Sequence, residues 1–106
     1  DTVLETEHSL AFKDISPSAP HHVLVIPKGA YVTYDHFAAE ASEAEIVDYT
    51  RAVGQVCAQL GVDPGAGGAG YRMISNAGDH GVQEVPHLHV HILAGRNIGR
   101  MIEKQG

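Results

Sequence analysis

Apolar positions along the chain fall into short runs separated by turn residues, with one long stretch at helical spacing between them. Val3–Thr6 and Ser9–Lys13 predict two short strands. Asp14-Ile15-Ser16-Pro17-Ser18-Ala19-Pro20 follows as a turn, because two prolines and the small polar residues favour bends over ladders. His22–Ile26 is almost continuously apolar and closes at Pro27 and Gly29, the pattern of a central strand covered on both faces. Ser42 and Glu45 have capping-box spacing, and Ile46, Thr50, Val53, Cys57 and Leu60 then recur on one face of a helix that Gly61 ends. The glycines from Gly65 to Gly70 predict a flexible connection rather than a phosphate loop, since no Gly-Lys-Ser/Thr follows and no helix opens there. Tyr71–Ser75 predicts a strand, Asn76–Gln83 a polar loop, and Val85–Ala94 the last strand. Strands, one long helix, then more strands predict an α+β fold with a largely antiparallel sheet.

Composition narrows the classes. The 106 residues suffice for one domain and leave no internal boundary, so residues 1–106 are expected to form a single unit. The formal charge of −6 argues against a dedicated nucleic-acid binder, which needs clustered Lys and Arg. The single Cys57, on the apolar helix stripe, excludes an intramolecular disulfide and reads as a small buried hydrophobe. No run reaches the length of a membrane span, and the start shows no signal-peptide pattern. A cytoplasmic protein without membrane contact is expected. The anomalous count is eight histidines.

Three of them stand in His87-Leu88-His89-Val90-His91. Side chains alternate along an extended chain, so the imidazoles share one face and Leu88, Val90 and Ile92 share the buried one. Metal binding is one use of such a row. At ~3.3 Å rise per residue the outer two Cα atoms lie roughly 13 Å apart, too far for all three to meet one zinc ion, although two of them with a third ligand from elsewhere could. Phosphoryl or nucleotidyl transfer is the other use. An unprotonated central imidazole attacks phosphorus, its tautomer fixed by a partner at the second nitrogen, while neighbours donate to phosphate oxygens. His22, which opens a strand, is placed to complete the cluster.

The segment His87-Leu88-His89-Val90-His91-Ile92-Leu93 resembles the signature of the histidine-triad family, three histidines alternating with apolar residues and followed by two more. Leu10 to Pro27 resembles the family's nucleotide-binding half, as do Tyr71–Asn76 and Ala94-Gly95-Arg96, so the likeness spans nearly the whole chain. It is similar to the branch of nucleotide-binding proteins that hydrolyse purine nucleoside phosphoramidates, and Gln83-Glu84-Val85 resembles bacterial-type members.

The resemblance implies roles. His89 would be the nucleophile, His91 and His22 would bind the α-phosphate, and His87 would support His89 through its backbone or its imidazole. Asp14 would accept from the ribose hydroxyls, and Phe12, Ile15 and Leu24 would wall the purine. Asn76, Val82, Gln83 and Glu84 would border the phosphate and the leaving group. His8, His21, His36 and His80 match no family role and are expected at the surface. The reaction would need no metal or other cofactor, and the ligand would be an AMP- or GMP-type nucleotide. A homodimer with paired sheets is implied, with the segment from Asn97 to Gly106 reaching the partner's site. Members also carry a further N-terminal segment, and the sequence is expected to begin after it. A dinucleoside polyphosphate hydrolase and a non-catalytic nucleotide-binding scaffold are the rival readings.

Overall fold

The computed structural model of the chain describes residues 1–102. Five antiparallel strands form one sheet: β1 (Thr2–Glu5), β2 (Ser9–Lys13), β3 (His21–Pro27), β4 (Tyr71–Ser75) and β5 (Val90–Ala94). Their spatial order is β1-β2-β3-β5-β4, so β3 is central and β1 and β4 are edges. Two helices, α1 (Tyr34–Glu40) and α2 (Glu43–Leu60), lie between β3 and β4 in the chain. This is the expected α+β architecture with an antiparallel sheet and one long helix.

The long helix starts and stops where its sequence says. Ser42 Oγ accepts from the Glu45 N–H at 3.1 Å, and the Glu45 carboxylate accepts from the Ser42 N–H at 3.0 Å. Gly61 takes the left-handed conformation, φ 72°, that glycine adopts without steric cost. The buried face is rotated from the expected one. Tyr49, Ala52, Val56 and Cys57 are buried, Ile46, Val53 and Leu60 pack partly against them, and Thr50 is exposed. Tyr49 causes the rotation. Its ring packs on Phe37 at 5.1 Å between centroids, and its hydroxyl donates to the Val25 carbonyl at 2.7 Å. A tyrosine whose oxygen finds a backbone acceptor enters a core as readily as a purely apolar residue. Burial also pushes the phenol pKa well up, so the donor stays protonated.

Helix α2 covers one face of the sheet, against β1, β2 and β3. That face supplies Ala11, Val23, Val25, Val90 and Ile92 to the core. A second tie is polar: Thr6 Oγ1 and Ser9 Oγ each donate to Asp48 Oδ2 at 2.7 Å, pinning the β1–β2 turn to the helix.

Three further expectations need correction. The last strand starts at Val90, not Val85. Its neighbour β4 ends at Ser75, opposite Val90, and Pro86 offers no N–H to a ladder, so the preceding residues leave the sheet. Helix α1 was absent from the pattern reading. It is seven residues with one buried side chain, Phe37, too short to show a periodic stripe. The glycine-rich stretch is an ordered loop rather than a flexible connection. It holds a 3₁₀ turn at Pro64–Ala66, and the N–H groups of Gly68 and Gly70 donate to Asp63 and Val62 carbonyls at 2.9 Å. A Cβ on Gly68 would sit 2.3 Å from the Val62 carbonyl carbon, so only glycine permits this closure.

The Tyr49–Val25 bond is the polar anchor of α2 on the sheet. We expect Tyr49→Phe to lower stability by about 1–2 kcal/mol, because a buried carbonyl loses its donor. For a domain this size that is a fall of about 5–10 °C in Tm, measurable by calorimetry. An unchanged Tm would remove the anchor role.

Candidate active site

The sheet face turned away from α2 carries the histidines. Across it, the strand register sets Phe12 opposite Leu24, Leu24 opposite His91, and His91 opposite Ile74, a row running from β2 to β4. The alternation expected for the triad holds although only His91 lies in β5. Leu88, Val90 and Ile92 are buried, while His87, His89 and His91 are partly exposed. The extended chain keeps its two-residue period past the end of the ladder because Leu88 still enters the core, and its N–H donates to the Tyr31 carbonyl at 2.7 Å.

Hydrogen bonds assign the protons. His89 Nδ1 lies 2.8 Å from the His87 carbonyl oxygen, which can only accept, so Nδ1 carries the hydrogen and Nε2 keeps its lone pair. The support from His87 is thus its backbone. Its imidazole turns elsewhere, and Nε2 donates to the Pro27 carbonyl at 2.9 Å. A second chain starts at Ser18, whose N–H donates to His22 Nδ1 at 3.0 Å. His22 must then hold its hydrogen on Nε2, which donates to His91 Nδ1 at 2.9 Å. His91 is left with an N–H at Nε2. The result is one imidazole with a free lone pair beside another with a free donor, ring centroids 5.0 Å apart.

Electrostatics agree with this arrangement. His91 is held below the ordinary imidazole value of 6.5, first by burial and then by the neighbouring His89 and His22, with Asp14 pulling the other way. His22 is buried behind His91, and Asp14 Oδ2 stands 3.6 Å from its Nε2. Asp14 also closes its own turn: Oδ1 accepts from the Ser16 N–H at 2.7 Å.

A cleft of about 300 Å³ opens over His89 and His91. Asp14 and Leu24 line it on one side; Asn76, Val82, Gln83, Glu84 and Val85 line it from the loop after β4. Seven of the residues expected at the site therefore meet with His89 and His91, or stand directly behind them: Asp14, Leu24, Asn76, Val82, Gln83, Glu84 and His22. Phe12 and Ile15 do not line this cleft, and Ile15 is 99% exposed. The side-chain amide of Gln83 is turned inward on the protein. Nε2 donates to the Val32 carbonyl at 2.6 Å and the Val85 carbonyl at 3.1 Å, and Oε1 accepts from the Gly78 N–H at 3.3 Å. Val85, Ser18 and the Tyr31–Val32 backbone were not foreseen. The sequence pattern of Val85 is that of a strand residue, and backbone partners leave no trace in residue type. Among the other histidines, His80 is exposed, whereas His36 Nδ1 accepts the Val32 N–H at 3.0 Å and so buttresses the same segment.

Among the described residues, Asp14, His22 and His91 are the group that could hold a metal ion, with one potential ligand atom each within 4.8 Å of the others. Two of those atoms already share a proton in the His22–His91 bond, which a metal would have to displace. Elsewhere, a larger recess of about 620 Å³ lies between the end of α2, β4 and residues 95–99. Its Arg72 is occupied by the carbonyls of Gly99 and Arg100 at 2.6 and 3.2 Å. Gly99 and Arg100 are thus tied to β4 of their own chain, and residues 103–106 of the expected partner-reaching tail fall outside the described residues.

Residues 1–98 match the family model described as the HIT domain. An uncharacterised 13.2 kDa HIT-like protein of Azospirillum brasilense is 60% identical over 96% of this chain and 80% of its own. The purine nucleoside phosphoramidase of Escherichia coli K12 is 38% identical, covering all of this chain and 85% of its own. Among solved structures, a histidine triad protein from Clostridium difficile superposes with a TM-score of 0.80 at 36% identity, over 95% of this chain and 84% of that one.

Protonating His91 at Nδ1 would set two donors against each other in the His22 contact. We expect its NMR titration midpoint to fall below 6.5. The unfolded chain then binds more protons than the folded one between that midpoint and 6.5, so Tm should decline as pH drops through this window. A midpoint at or above 6.5 would contradict the assignment.

Proposed function

The chain belongs to the HIT domain family, and from that premise we propose that it hydrolyses the P–N bond of purine nucleoside phosphoramidates through a nucleotidyl-histidine intermediate. The observation that carries this reading is the pair of contacts, His89 Nδ1 on the His87 carbonyl and His91 Nδ1 on His22 Nε2, which in neutral rings leave a lone pair on His89 Nε2 and a donor on His91 Nε2. The similarity to a purine nucleoside phosphoramidase supports the same reaction class.

In this reading His89 Nε2 attacks the phosphorus, the N–P bond to histidine forms, and the bond to the amine breaks as the amine takes up a proton from solvent, which the water of the second step later gives back. Water then attacks the same phosphorus, releasing the nucleoside monophosphate and restoring the imidazole. His91 donates from Nε2 to a phosphoryl oxygen, and His22 holds it in the tautomer that can do so. His87 orients the nucleophile through its carbonyl. Asp14 accepts from the ribose, and Leu24 with Phe12 and Ile15 stands on the side where the base would lie. Asn76, Val82, Gln83 and Glu84 flank the leaving group. No metal takes part in these steps, and no further cofactor is proposed.

We place the protein in the cytoplasm as a two-fold dimer. None of the described helices is long and apolar enough to cross a membrane. Support for the dimer comes from β4, an edge strand with Tyr71 and Met73 exposed at 45% and 56%. Open edges of this kind are usually covered.

Two measurements test these proposals. His89→Ala should reduce kcat on adenosine phosphoramidate by at least a thousandfold while AMP still binds, and rapid-quench mass spectrometry should show a nucleotidyl adduct on the parent alone. Substantial turnover by the variant would remove His89 from the nucleophile role. Sedimentation at micromolar concentration should give twice the 11.3 kDa chain mass, and a clean monomer would reject the dimer.

A further inference from the structure

Val82 adopts a positive φ of 54°, alone among the described residues other than glycine. A β-branched side chain is a true outlier there, because its Cβ substituents crowd the following carbonyl. Strain of this kind persists where surrounding bonds over-determine the backbone. Here they do. The Val82 N–H donates to the Asp79 carbonyl and the Gln83 N–H to the Gly78 carbonyl, both at 3.1 Å. Gln83 then fastens the turn to the Val32 and Val85 carbonyls through Nε2.

The fold gains nothing from the valine that would offset the strain. Its side chain is 68% exposed, so little apolar surface leaves water when the chain folds. Val85, three residues on, is exposed at 56%. Both line the cleft over His89 and His91, whose loop side is otherwise made by Asn76, Gln83 and Glu84. Phe12 and Leu24 lie towards β2 from His91, and Ile74 lies towards β4, whereas Val82 and Val85 come from the loop that follows Ser75. A nucleoside on the Asp14 and Leu24 side leaves the Val82 and Val85 side free.

We propose that Val82, with Val85, forms an apolar wall that selects phosphoramidates with apolar amine leaving groups. This rests on the phosphoramidate reading of the same site. Because its surface is not buried in the fold, the Val82 side chain acts on what enters the cleft, so Val82 determines specificity and takes no part in proton transfer. Closing the two methyl groups of a valine against a ligand is worth on the order of tenfold in discrimination.

The test compares two adenosine phosphoramidates whose amines have similar basicity, the apolar benzylamine and the polar ethanolamine. The parent should favour the benzylamine compound in kcat/KM. Val82→Gly and Val82→Asn both relieve the left-handed strain, and both should reduce that preference about tenfold. Their Tm should equal or exceed the parent's, because glycine and asparagine tolerate this backbone. An unchanged preference in both variants would overturn the proposal, whatever happens to Tm. If the parent cleaves neither compound, the reading of the reaction fails separately, and calorimetric titration with the same two compounds still reads the wall. Tighter binding of the benzylamine compound, lost in both variants, would uphold it, and equal binding by the parent would overturn it.

Discussion

The hydrogen bond from His22 to His91 joins the central strand to its neighbour and decides which nitrogen of each ring holds a proton. Its direction comes from one main-chain donor, the Ser18 N–H on His22 Nδ1. A backbone amide cannot reverse its role, so every imidazole downstream inherits its tautomer. The second chain works in the opposite sense, with the His87 carbonyl forcing the hydrogen of His89 onto Nδ1. Two fixed backbone groups, one donor and one acceptor, thereby give neighbouring histidines complementary chemistry without any charged partner in contact with His89. Among the described residues no buried side-chain nitrogen or oxygen lacks a hydrogen-bond partner, so the network is closed rather than frustrated.

The sheet makes this possible by dividing its faces. One is given over to α2 and the core, which locks β3 and β5 in register through Val23, Val25, Val90 and Ile92. The alternate residues of the same strands are then carried to fixed places on the other face. Rings held 5.0 and 5.2 Å apart, centroid to centroid, need a backbone that does not slide, and a slip of one residue would turn the histidines into the core.

Much of this was legible. The alternation through His87 to Ile92 correctly separated buried from site-facing residues, since burial and not ladder pairing sets that period. The capping box and Gly61 located α2 because caps are local chemistry. Other features depend on distant partners and left no mark. Thr50 was assigned to the helix stripe and Tyr49 was not, since nothing local shows that the Tyr49 hydroxyl reaches the Val25 carbonyl. The extent of the last strand depended on where β4 stops. The glycine-rich loop looked unstructured because close backbone approach at Gly68 is a tertiary fact. At the site, residue types pointed to Asp14, His22, Asn76 and the triad, while the proton assignments came from carbonyls and amides that every residue has. Phe12 and Ile15 were expected beside these residues, but the described cleft does not reach them.

The short stretch at Tyr31 and Val32, between β3 and α1, holds from behind the loop that lines the cleft. Its carbonyls receive the Leu88 N–H and the Gln83 amide, and its own Val32 N–H is taken by His36. Neither residue lines the cleft itself, yet their two consecutive carbonyls hold Leu88, inside the triad, and Gln83, on the cleft's loop. The length of the stretch therefore helps to set the shape of the cleft. Insertions that a surface connection would normally absorb are transmitted here into the separation of His89 from the opposing loop, so this connector should drift in side chains across lineages while resisting change in residue count.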